Sequence, residues 1–253
     1  MRPPKLALAL LAVLLVSSTA SAGPISFAVD PSQSSLLVSA AGTAQSILFG
    51  PIAFSGSNTT SVGGSIDTDI VDPLGATLTL TATGGAVTLA DFGIPILSGA
   101  LTISFAGLGG PLTGGPSTSG LGPPYSLPVG GFVFTVNQGV ISVPPVGGLF
   151  AGFTYDFATS PAFAFSLPAT SSTITATPVG GGAQQLTWLI PVSTSLLVQP
   201  PGLSATIGLS GNVRLTTTVV PEPSTALLLG AGLGVLAAAA KRRGDVPLAV
   251  DLG

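Results

Sequence analysis

Between Gly23 and Val220 the apolar positions alternate with polar ones or fall in short runs, and never take the three-and-four spacing of a helix face. Stretches rich in Val, Ile, Thr and Phe are punctuated by Gly, Pro, Ser and Asn, the sign of short antiparallel strands between turns. The pattern predicts strands near 25–29, 36–40, 46–54, 62–70, 76–81, 86–89 and 96–105. A second set falls near 132–136, 140–143, 149–157, 162–167 and 173–177, and a third near 185–198, 203–209 and 213–219. The fold class this implies is all-β: an antiparallel sandwich, jelly roll or barrel.

Two features bear on how the β region at 23–220 is organised. Stretch 107–131 is more than half Gly and Pro and reads as an excursion from one domain, since each half alone is small for an independent core. An echo between Ser34-Ser35-Leu36-Leu37-Val38-Ser39 and Ser171-Ser172-Thr173-Ile174-Thr175-Ala176, each followed by a Gly-led stretch, suggests a duplication.

The two ends differ from this region. Arg2 and Lys5, an apolar run over 6–16, and Ala20-Ser21-Ala22 make a signal peptide over 1–22, with Ala20 and Ala22 as the small cleavage-site residues. At the other end Pro221-Glu222-Pro223 is stiff and extended, because each ring fixes its own φ and keeps the preceding residue out of the helical region. Residues 224–240 are uncharged and mostly Leu, Ala and Gly, about the shortest length that spans a bilayer as a helix. Lys241, Arg242 and Arg243 follow as a basic stop; they hold the C-terminal side in the cytoplasm, with 244–253 as a short tail.

A Pro-Glu-Pro motif, an apolar helix and a basic cluster, in that order, resemble the PEP-CTERM sorting signal of Gram-negative bacteria. The resemblance implies that an exosortase of the inner membrane recognises Pro221, Glu222 and Pro223 and cuts near them. It further implies an inner-membrane intermediate followed by delivery to the cell surface or beyond, typically in bacteria that make exopolysaccharide.

Charge narrows what the β region can do. Its charged residues are Asp30, Asp67, Asp69, Asp72, Asp91, Asp156 and Arg214, against roughly a quarter of positions in an ordinary domain. One cation cannot release the counterions on which nucleic-acid binding depends, so no nucleic-acid partner is expected. A mean hydropathy of +0.74 argues for a folded chain rather than a disordered one. The sequence has no Cys and no His, which removes thiolate chemistry, disulfides and the commonest general base.

Carboxylates are the remaining candidates for chemistry. Asp67 and Asp69 project from one face of a strand, and Asp72 falls at the turn opened by Pro73. The three could bind Ca²⁺, a cation that takes oxygen ligands, although they miss the EF-hand spacing; the alternative is a charged strand edge that discourages pairing with other chains. No other cofactor is expected. Asp30 and Asp91 read as turn residues, Asp156 as partly buried, and Arg214 as the partner of any buried carboxylate. Asn58-Thr59-Thr60 fits a glycosylation pattern. Leu186, Trp188 and Ile190 share one strand face, which places Trp188 in the core, whereas Tyr125 in the Gly/Pro-rich stretch is the expected exposed aromatic. The primary functional expectation is an exported, non-enzymatic surface or extracellular-matrix protein associated with exopolysaccharide. The alternatives are an extracellular polysaccharide hydrolase using Asp pairs, or a structural protein left anchored in the inner membrane.

Overall fold

Alternation becomes burial along nearly every strand. The computed structural model describes residues 24–220 except 121, 148, 149, 151, 169 and 200–202. The expected signal peptide with Ala20 and Ala22, the motif Pro221-Glu222-Pro223, the apolar helix and the basic stop therefore lie outside the described residues. Fifteen strands follow in order: β1 (Pro24–Val29), β2 (Ser35–Ser46), β3 (Gly50–Val71), β4 (Thr77–Leu89), β5 (Phe92–Ile96), β6 (Leu101–Gly110), β7 (Leu112–Gly120), β8 (Tyr125–Pro128), β9 (Val133–Val136), β10 (Gln138–Val143), β11 (Phe153–Asp156), β12 (Phe163–Ser166), β13 (Ser171–Gly180), β14 (Ala183–Val198) and β15 (Leu203–Val219). A single 3₁₀ turn, Leu97–Gly99, is the only helical element among the described residues.

Every ladder is antiparallel, and the main path runs β11-β10-β6-β4-β3-β1-β15-β14-β13-β8. β1 and β2 lie end to end in one lane, both between β3 and β15. The loop between them is closed onto β15. Ser34, buried, accepts the Arg214 N–H at 2.9 Å and donates to the Arg214 carbonyl at 3.1 Å, and the Asp30 N–H donates to that same carbonyl. The inward side chains of the strands meet in one apolar cluster within the unit Ser21–Val219.

Three pairs of predicted strands are continuous. The polar stretch between 54 and 62 reads as punctuation, yet Ser55, Ser57, Thr59 and Ser61 are the outward positions of β3, with backbone groups satisfied along β2. The pairs within β4 and β15 fuse for the same reason. Conversely, the predicted strand 96–105 is broken: Leu97 and Ser98 take positive φ and turn the chain back, so that Ile96 pairs with Leu101 in a β5–β6 hairpin. The echo is not a structural repeat. β2 runs straight on after Ser39, whereas the chain after β13 reverses at Gly180-Gly181-Gly182 into β14.

Stretch 107–131, expected as an excursion without structure, instead carries the end of β6, all of β7 and β8. Gly109, Gly110, Gly114 and Gly120 sit in ladders to β4 and Pro128 in the ladder to β13, while serines join β7 to β8. Ser117 Oγ donates to the Pro128 carbonyl at 2.7 Å, and the Ser126 N–H donates to Ser119 Oγ at 3.0 Å.

Tyr125, expected at the surface, is fully buried, and its hydroxyl donates to the Gly75 carbonyl at 2.7 Å. Burial, assisted by the nearby Asp72 charge, raises its pKa above the ordinary 10.0. The phenol of the unfolded chain then releases its proton first, so stability falls as pH climbs through and beyond that value. Tyr125→Phe should cost about 1 kcal/mol near neutrality and flatten the alkaline decline. Urea unfolding at about pH 8 and about pH 11 checks both expectations.

Candidate functional surface

Cavities inside the core are of about 20 to 40 Å³ and lined almost entirely by apolar side chains, an order of magnitude below a small-molecule pocket. The outside of the sheet, by contrast, carries most of the polar side chains.

Four long strands, β3-β2-β15-β14, present an outward face whose register aligns small hydroxyl side chains in rows. Thr59, Leu37, Ser210 and Ser193 form one row; Ser57, Ser39, Gly208 and Ser195 the next; Ser55, Ala41, Thr206 and Leu197 the third. The hydroxyl side chains of these rows are exposed. They face outward because their neighbours Leu36, Val38, Ala40, Ile207 and Leu209 face the core, and the period of two leaves no other choice. Four strands at about 4.8 Å spacing give a face roughly 15 Å wide, and three rows span about 13 Å along the strands. No charged side chain falls in these rows. A second hydroxyl row, Ser104-Ser142-Thr154 across β6, β10 and β11, lines an open groove of about 450 Å³ with Pro144, Pro145 and Phe153.

The carboxylates do not converge. Asp67 and Asp69 are on the outward side of β3, opposite Ser26 and Pro24 of β1, and Asp72 turns away after the strand with φ of 54°. Among the described residues, no three His, Cys, Asp or Glu side chains come together as metal ligands. Asp30 Oδ1 accepts the hydroxyl of Ser32 at 2.6 Å and its N–H at 3.1 Å. The Ser32 hydroxyl is the main reason its pKa lies below the usual carboxylate value; desolvation opposes this, and the Ser32 N–H and the Arg214 charge add to it. A general acid needs the opposite shift. Asp91, between β4 and β5, accepts the Gly107 N–H of β6 at 2.7 Å, while Asp156, half-buried as expected, accepts the Ala158 N–H at 2.8 Å and so holds the turn after β11.

Arg214 makes no ion pair among the described residues. Its Nη1 donates to Gln33 Oε1, and its buried Nε has no partner. Asn58 donates from Nδ2 to the Gly93 carbonyl at 2.7 Å and so ties β3 to β5, while Thr60 is buried and donates to the Ala90 carbonyl at 2.8 Å. This use in the fold explains the Asn-Thr-Thr pattern without a glycan. Trp188 is buried as expected.

The hydroxyl rows were missed in the sequence because an isolated Ser or Thr carries no signal; only register brings two or three of them into one row. The missing signal was strand length, since Ser55–Ser61 reads as a loop until β3 is seen to be continuous.

Among the described residues no helix is long and apolar enough to cross a membrane. Residues 219–243 match the family model of the PEP-CTERM protein-sorting motif. No curated protein and no solved structure matches the chain.

Proposed function

We propose that this chain, which carries the PEP-CTERM sorting motif at 219–243, is a non-enzymatic surface or extracellular-matrix protein that holds neutral exopolysaccharide on the outer face of β3-β2-β15-β14. The motif implies export and handling by an exosortase, through an inner-membrane intermediate and then to the cell surface. The observation that carries the binding role is the uncharged array of hydroxyls held in register on four strands. A sugar polymer presents hydroxyls at similar spacing, donors and acceptors both, and meets no charge to desolvate on this face. Each contact is weak in water, and a repeating ligand adds many along a fixed array.

The test is retention by the producer's exopolysaccharide in affinity electrophoresis. Ser39→Ala, Ser57→Ala, Ser195→Ala and Ser210→Ala together should weaken retention about tenfold while moving the unfolding midpoint little, because all four positions are exposed. Equal retention of the quadruple variant defeats the binding face. Release of new reducing ends from the polymer would replace this reading with hydrolysis. The sorting step has its own test: a surface-located protein whose C-terminus is still Gly253 by mass spectrometry has not been cut.

A further inference from the structure

At one end of the hydroxyl face the β2–β3 hairpin runs past the pairing of Leu203 with Ala44 and closes over Ile47-Leu48-Phe49. These side chains are 62%, 68% and 70% exposed, and they are the one consecutive run among the large exposed apolar side chains of the described residues. The tip is built rather than frayed: buried Ser46 accepts the N–H groups of both Leu48 and Phe49 at 3.3 Å, which fixes the turn and frees all three side chains to point outward. No charged residue occurs between Asp30 and Asp67, so the whole hairpin is neutral.

Two arguments decide what such a tip meets. Three side chains at this exposure offer roughly 300–400 Å² of apolar surface, well below the about 800 Å² per partner that a stable protein interface requires, a second copy included. The three residues also form the closing turn of a hairpin, beyond the last β2–β15 pair, so they have no neighbouring strand beside them to make a flat partner face. A neutral hairpin enters the headgroup layer without burying a charge, and it gains nothing from an anionic surface.

We infer that Ile47-Leu48-Phe49 inserts as a wedge into the surface of a neutral lipid bilayer, as a second membrane contact separate from the sorting segment. That segment begins at the other end of β15, about 50 Å along the strand from Leu203. The inference is independent of the polysaccharide reading.

The absence of Cys makes the test site-specific in the full chain. Leu48→Cys, labelled with an environment-sensitive fluorophore, is mixed with an excess of phosphatidylcholine vesicles. The expected result is a blue shift, at least a fivefold loss of quenching by aqueous iodide, and quenching by brominated lipid. A Ser39→Cys label on the hydroxyl face should stay in water. Adding Ile47→Ser and Phe49→Ser to the Leu48→Cys chain should abolish the response and leave the fluorescence of Trp188 unchanged. A Leu48 label that remains open to iodide while the chain floats with the vesicles overturns the inference. So does a blue shift that grows with protein concentration in the absence of lipid, which would mean self-association.

Discussion

Trp188→Ala is expected to lower the unfolding free energy by about 4 kcal/mol, the largest single loss available from a core side chain in this protein. The ring is fully buried on β14, edge-on to Phe27 at 5.6 Å and to Phe132 at 6.2 Å. Removing it empties the space between the first strand and the segment before β9. It also strips a hydrogen-bonded relay: the indole N–H donates to Ser172 Oγ at 2.8 Å, and Ser172 donates to the Leu127 carbonyl at 3.2 Å, crossing from β14 through β13 to β8. Trp188→Phe separates the two contributions. It keeps most of the packing and should cost about 2 kcal/mol, largely from an orphaned hydroxyl oxygen and lost volume. Urea denaturation followed by far-ultraviolet circular dichroism measures both, since the variants lack the only Trp. A loss below about 2 kcal/mol for the alanine variant would mean that the core collapses into the gap more readily than its rigid ladders suggest.

Gly64→Ala should be nearly as damaging, by about 3 kcal/mol, despite adding only a single methyl group. Gly64 pairs with Val87 in the β3–β4 ladder with φ of 99°, a backbone region that L side chains rarely enter. A Cβ there would sit on the carbonyl oxygen of Ala86, well inside van der Waals contact, and that oxygen belongs to the ladder and cannot swing aside. The neighbouring Gly63→Ala is the matched control. Its Cβ would meet nothing nearer than Thr88 Oγ1 at 3.4 Å, so the change should fall within about 0.5 kcal/mol of neutral. Equal thermal shifts for the two variants would refute the argument from conformation and close approach.

The all-β antiparallel class was legible in the sequence because period-two alternation is a local property that survives into burial. Trp188 was legible for the same reason: Leu186, Trp188 and Ile190 point one way whatever else happens. Strand length was not. Whether Ser55–Ser61 is loop or strand depends on β2 lying alongside, which is a tertiary fact. Tyr125 failed for a related reason. Its Gly/Pro-rich surroundings mark a loop by propensity, but β8 has β13 as a partner and a serine link to β7, and these outweigh local preference. The sorting motif was readable because it is linear, three parts in order, independent of any partner strand. The hydroxyl rows were not, because each is assembled from residues of four strands, far apart in the chain.

The lane shared by β1 and β2 couples the two ends of the exported region in time as well as in space. Both first strands are bounded on one side by β15, the last strand, and Ser34 meets Arg214 across 180 positions. A chain that crosses a membrane N-terminus first therefore cannot complete this sheet while residues 203–219 are still on the other side. Until then β1 and β2 have β3 alone, and their second edge waits open. Contacts of such long separation make folding slow, which favours a chain that must stay threadable during transit. Directly behind β15 comes the sorting motif at 219–243, so the strand that completes the fold is also the one that runs into that motif. A truncation inside β15 would leave a long unpaired edge on β14 and on β2, whereas a cut after Val219 leaves all fifteen described strands in place.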